Sequence, residues 1–150
     1  MEAGDVEPEG ARGGEVRAAG GVLFRLPAHV DSRGTLVVLE ESSGLPFVPQ
    51  RTFFVLGVPD DQTRAGHGHL TAHQVLVAAR GSVTVEINDG QDTAQVTLDA
   101  PDLALHVPPR VRIVLSAFSP DAVLLCVVSE EYDPDDYFRS FDELPVDGHG

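Results

Sequence analysis

His67, His69 and His73 fall within seven residues of one another in "RAGHGHLTAHQVL" (Arg64–Leu76), half of the six histidines in the chain. Imidazoles at this density can ligate a metal, move protons or serve as plain structure, and all three readings are open at this point. On a strand, residues two apart share a face, so His67 and His69 point the same way. His73, four residues on, joins them only if the strand runs unbroken. Three nitrogens on one face can hold a catalytic metal. His106, in "ALHVPP", alternates with Leu105 and Val107, so it points into a barrel or out to solvent.

These side chains need elements to position them. The chain has 150 residues, which suits one domain with a real core. Short β-branched and aromatic runs, bounded by Gly, Pro and Ser, recur at about 8–12 residue spacing. They include "TLVVLE" (Thr35–Glu40), "RTFFVLGV" (Arg51–Val58), "SVTVEI", "TAQVTLD", "VRIVLSAF" and "AVLLCVVSE". "NDG" (Asn88–Gly90) is the clearest hairpin signal. The spacing predicts an all-β sandwich or jelly roll. One helix is expected, in "DPDDYFRSFDEL" (Asp133–Leu144), with an Asp cap and Pro134 in its first turn. The acid run "SEEYDPDDY" reads as solvated surface around that helix start. Residues 1–20 are expected to be a disordered tail, 21–145 one domain and 146–150 a frayed end.

Charge narrows the function classes. The net charge is −14, from 24 acids and 10 arginines with no lysine. A nucleic-acid binder needs a basic surface, so no nucleic-acid partner is expected. A small anion is still compatible, because a few arginines in one cleft make a local positive field. No apolar run reaches membrane-span length, and no membrane partner is expected. The N-terminus has no signal-peptide pattern and Cys126 stands alone in an apolar run, so a cytoplasmic location is expected.

"GHGHLTAHQVLVAARG" matches the first cupin motif, G-x5-H-x-H-x3,4-E-x6-G, from its His-x-His onward, with His73 in place of the Glu and Gly81 closing one residue late. Over Asp31–Leu144 the chain resembles the cupin sugar-nucleotide 3,4-ketoisomerases of the FdtA/WxcM type. The resemblance is carried by "DSRGTLVVLEESSGLPFVPQRTFFVLGV", "RAGHGHLTAHQVLVAARGSVTVEINDG", "VTLDAPDLALHVPP" and "FSPDAVLLCVVSEEYDPDDYFRSFDEL", in that order. It implies a cupin jelly roll (double-stranded β-helix) with a short C-terminal helix, acting as a homodimer. It also implies an isomerase that moves the carbonyl of dTDP-4-keto-6-deoxyglucose from C4 to C3 without metal or redox cofactor. By position, His69 would be the principal base and His67 its partner or the second acid/base. Arg51 and Arg64, with Arg33, would clasp the diphosphate. Phe53, Phe54, His73, His106 and Arg112 complete the candidate ligand-binding set.

The chain departs from that family at defined places. Phe53-Phe54 stands where the family has a tyrosine. Pro109, Arg112 and Ile113 match its P-x-x-W-H, so the tryptophan and histidine are gone. An apolar wall would suit a cupin of this lineage recruited to another non-redox reaction, such as isomerisation, cyclisation or addition on a less polar intermediate. A non-catalytic binding cupin is a third reading. A metal enzyme built on His67, His69 and His73 is the fourth.

Overall fold

A computed structural model describes residues 15–145. The expected frayed end at 146–150 and most of the expected tail lie outside the described residues. Within that tail, however, Val16–Ala18 is strand β1, paired antiparallel to β2 (Gly21–Arg25). Alternation in "VRA" half-buries Val16, so this stretch is drawn onto the sheet edge rather than left free.

The chain continues through β3 (Ala28–Asp31), β4 (Gly34–Val37), β5 (Arg51–Leu56), β6 (Arg64–His69) and β7 (Gln74–Arg80). Then come β8 (Val83–Asn88), β9 (Thr93–Leu98), β10 (Leu103–Val107), β11 (Arg112–Ser116), β12 (Val123–Val128) and β13 (Tyr137–Phe138). Two antiparallel sheets face each other, in the orders β1-β2-β10-β7-β12-β5 and β13-β6-β11-β8-β9. This is the jelly roll expected from the strand spacing. Among the described residues, the β3–β4 hairpin forms a two-stranded sheet of its own. No helix among the described residues is long and apolar enough to cross a membrane.

The core lies between the sheets, around Leu23, Leu76, Ile87, Leu105, Ile113 and Leu124. A second cluster (Phe24, Leu45, Phe47, Val75, Val77 and Val127) covers the outer face of the six-stranded sheet. The run "VLVA" in β7 is therefore buried on both faces, which explains why it shows no alternation.

The helix expected over Asp133–Leu144 is not formed. Pro134–Asp136 is one 3-10 turn, Tyr137–Phe138 is β13, and Phe141–Glu143 is a second 3-10 turn. The Asp133 cap works as read, its side chain accepting from the Asp135 amide at 2.9 Å. Extension wins afterwards because β6 offers an open edge: Tyr137 pairs with His69 and Phe138 with Gly68. Phe138 is 1% exposed there, a burial that one surface helix turn would not give it.

Candidate active site

The two glycines of "GHGH" set up the site. Ala65 and Gly66 have positive φ, 68° and 77°, and the β6–β11 register slips there by one residue. Such a bulge re-aims the side chains that follow it. Gly68 is needed for a different reason. A Cβ at that position would come within 2.6 Å of the Phe138 ring, so only glycine lets β13 dock against β6. Docking β13 brings the preceding residue, Asp136, up to the histidines.

His69 is almost wholly buried, and its Nδ1 lies 2.9 Å from Asp136 Oδ2. The same carboxylate accepts from the Thr71 amide at 2.8 Å, the Thr71 hydroxyl at 2.7 Å and the Ala72 amide at 3.2 Å. Burial pushes the Asp136 carboxyl up, but the hydrogen bonds from Thr71, His69 and Ala72 outweigh it and hold the group below its ordinary value. A carboxylate that stays ionised fixes the proton of His69 on Nδ1 and leaves the Nε2 lone pair available. Burial lowers the pKa of His69, while Asp136 pulls it back up. The imidazole is thus neutral at pH 7, and its protonated form has a carboxylate to stabilise it. The backbone holds the strand end as well: the Arg110 amide donates to the His69 carbonyl at 2.7 Å.

Tyr137 packs on both rings, with centroids 4.4 Å from His69 and 4.8 Å from His67. Arg51 Nη2 lies 3.4 Å from the Tyr137 hydroxyl, and its guanidinium sits over the Phe53 and Tyr132 rings at 5.6 and 5.5 Å. His67 stands at the junction of two cavities. An inner one of about 80 Å³ is lined by Phe53, Arg64, His67, Gln74, Ile113 and Cys126, among others. An outer one of about 510 Å³ is lined by His67, Tyr132, Pro134, Tyr137, Arg139 and Glu143. Burial, then the neighbouring His69, Arg139 and Arg112 charges, lower the His67 pKa to about 4. Its cross-strand neighbour is Ile113, so the departure from the family's histidine falls directly beside it.

Of the residues singled out in the sequence, His67, Arg64 and Phe53 line these cavities, while His69 and Arg51 join them through Tyr137. The fold does not bring in the others. Phe54 alternates away from Phe53 and is 62% exposed. Arg33 sits in the β3–β4 hairpin, ion-paired with Asp31 at 2.6 Å. Arg112 points to the opposite side of β11 from Ile113, and its Nε donates to the Arg139 carbonyl at 2.8 Å, clamping the C-terminal segment. His73 and His106 share the outer face with Val75 and Ala104. They stack on each other, Nδ1 to Nε2 at 2.9 Å, beneath Phe47. The three-nitrogen set of His67, His69 and His73 therefore does not converge.

Alignment explains the His73 error. Four residues separate His69 from Gln74, and six separate Gln74 from Gly81. Gln74, not His73, stands at the cupin Glu position, and the one-residue lag disappears. Asp136 and Tyr137 were missed too, because their acid run looked like solvated surface. The available signal was the block "FSPDAVLLCVVSEEYDPDDYFRSFDEL", which carries part of the family resemblance and contains Asp136 and Tyr137.

The family model for FdtA, described as WxcM-like, C-terminal, matches residues 20–145. A TDP-4-oxo-6-deoxy-alpha-D-glucose-3,4-oxoisomerase from Aneurinibacillus thermoaerophilus is 37% identical over 115 residues, covering 77% of this chain and 83% of that protein. A mutant of the QdtA 3,4-ketoisomerase from Thermoanaerobacterium thermosaccharolyticum, in complex with TDP-4-keto-6-deoxyglucose, superposes with a TM-score of 0.78 at 30% identity, covering 82% of this chain and 89% of that one. The WlaRB TDP-quinovose 3,4-ketoisomerase from Campylobacter jejuni superposes equally well, with a TM-score of 0.78 at 31% identity, covering 82% and 95%.

Proposed function

The chain belongs to the FdtA, WxcM-like C-terminal family, and on that premise we propose that it is a sugar-nucleotide 3,4-ketoisomerase acting on a dTDP-4-keto-6-deoxyhexose. The observation that carries the chemistry is the His69–Asp136 contact at 2.9 Å. His69 Nε2 removes the proton on C3, and the C3–H electrons form the C3=C4 bond of an enediolate. The hydroxyl proton on O3 passes to O4. The His69 imidazolium, held by Asp136, then returns its proton to C4 as O3 becomes the carbonyl. One base thus serves both carbons. His67, with a pKa of about 4, is neutral near pH 7 and is no imidazolium acid there, so its part is to contact and orient the sugar.

Arg64, in the lining of the inner cavity, and Arg51, over the Phe53 and Tyr132 rings, are the proposed diphosphate ligands. Arg33, in the hairpin, is set aside for this chain's own pocket. The alternative of another non-redox reaction draws on the apolar wall of Phe53 and Ile113, and the ketoisomerase relatives do not favour it. A homodimer is part of the reading. It is supported by the unpartnered hairpin, with Val30 75% and Leu36 60% exposed, and by Leu56 at 63% on the open edge of β5. So is the cytoplasmic location first suggested by the lone, buried Cys126. The decisive experiment is proton NMR of dTDP-4-keto-6-deoxyglucose incubated with the protein. Appearance of the 3-keto isomer is the expected result. Binding of the keto sugar without conversion would overturn the reading.

A further inference from the structure

Three buried side-chain atoms among the described residues have no hydrogen-bond partner: Arg51 Nε, His67 Nδ1 and Gln74 Nε2. Such atoms are rare in folded proteins and each calls for a reason. Here all three belong to the site just described, and two of the side chains, His67 and Gln74, line the inner cavity. Gln74 is the informative one. It is 4% exposed, at the first position of β7, between backbone partners Val107 and Val128. Its remaining surroundings in the cavity are mainly apolar: Phe53, Leu76, Ile113 and Cys126. A leucine or methionine would fill that place without leaving a donor unmet. A glutamate there would add a negative charge beside the site of a developing enediolate.

We propose that Gln74 is a catalytic residue whose amide Nε2–H donates to the oxygen of the reacting carbonyl and enediolate. This rests on the ketoisomerase reading. The donor is neutral, so it leaves the lone pair of His69 unprotonated, and Gln74 lines the same cavity as His67. That cavity is mainly apolar, so a hydrogen bond to charge is strengthened there. The terminal amide torsion is soft, so a small rotation presents the donor to a sugar entering past His67.

Gln74→Met and Gln74→Glu separate this role from a structural one. Gln74→Met should lower kcat about 10²-fold and raise KM for the keto sugar about three- to tenfold. It should also raise the thermal midpoint of the free protein, because an unmet buried donor is removed. Gln74→Glu should be slower still. Calorimetry with dTDP should show the wild-type affinity in both variants, while the affinity for the keto sugar falls. Gln74→Met with wild-type kcat and a lowered thermal midpoint would overturn the proposal and make the residue structural. If the wild type binds the keto sugar without turning it over, the ketoisomerase reading fails and the affinities decide the contact. A keto-sugar to dTDP affinity ratio that drops in Gln74→Met keeps it, and an unchanged ratio removes it.

Discussion

The described residues hold two close imidazole pairs, His67 with His69 at ring centroids 5.9 Å apart and His73 with His106 at 5.2 Å. In each pair burial drives one member, His67 or His106, down to a pKa of about 4. Sequence spacing and titration alone do not separate them. Two physical differences do. The first pair faces the barrel interior, with His67 lining both cavities and His69 packed behind it against Tyr137, whereas the second lies on the outer face beneath Phe47. The first pair also has a carboxylate, Asp136, while the polar partner of each outer imidazole is the other imidazole. A carboxylate gives the imidazolium somewhere to exist. Two imidazoles sharing one hydrogen bond oppose each other's protonation. A pair of the first kind can shuttle a proton, and a pair of the second kind fixes a strand position.

The sharpest way to break this contrast is to remove the ring assigned to chemistry. His69→Asn should lower kcat by about 10⁴-fold with the fold intact, the loss of a general base that serves two carbons. Retention of most activity would move the base to His67. Asp136→Asn is the next largest effect. It leaves the ring in place but offers Nδ1 a group that no longer stabilises the cation, and about 10²–10³-fold in kcat should go. The thermal midpoint should also fall, because the Thr71 and Ala72 amides share that carboxylate. A loss confined to stability would make Asp136 a loop anchor only.

The pH profile sharpens the contrast further. His69 titrates below its ordinary 6.5, and the base is the neutral ring. kcat/KM should therefore be flat through pH 7 and fall about tenfold per unit once pH drops below the His69 pKa. A profile that turns down already near pH 7.5 would require a raised pKa and contradict the burial that dominates this residue.

What the sequence made legible follows the same division. The jelly roll and the shared face of His67 and His69 could be read because strand periodicity and motif order are local. The place of His73 was misread because a one-residue slip moves a side chain to the other face of a sheet. The spacing to Gly81 already favours Gln74, and the structure, with Gln74 inside and His73 outside, agrees with it. Asp136 and Tyr137 were hidden for a related reason. Their segment carries helix-start signals, Asp133 and Pro134, which do form a turn. Whether the chain then coils or extends is decided by the open edge of β6 and by the space over Gly68, and neither is a property of residues 133–144.

The smallest effect is expected at the outer pair, and there it should be a matter of stability. His106→Leu should leave kcat within about twofold and cost about 1 kcal/mol, the net worth of one hydrogen bond, with a matching fall in the thermal midpoint at pH 7.5. The sign of the pH effect follows from the lowered pKa. Between pH 6.5 and about 4 the unfolded chain protonates His106 while the folded one does not, so protons favour unfolding across that window. Wild-type stability should fall as pH drops through it, and His106→Leu should show a shallower fall, with His67 still contributing its share. Differential scanning fluorimetry at half-unit steps measures both slopes. Equal slopes would mean that His106 titrates normally in the folded state and that its buried pairing with His73 is looser than 2.9 Å implies. A drop in kcat to match the stability loss would break the comparison itself, since it would tie the outer face to the chemistry inside.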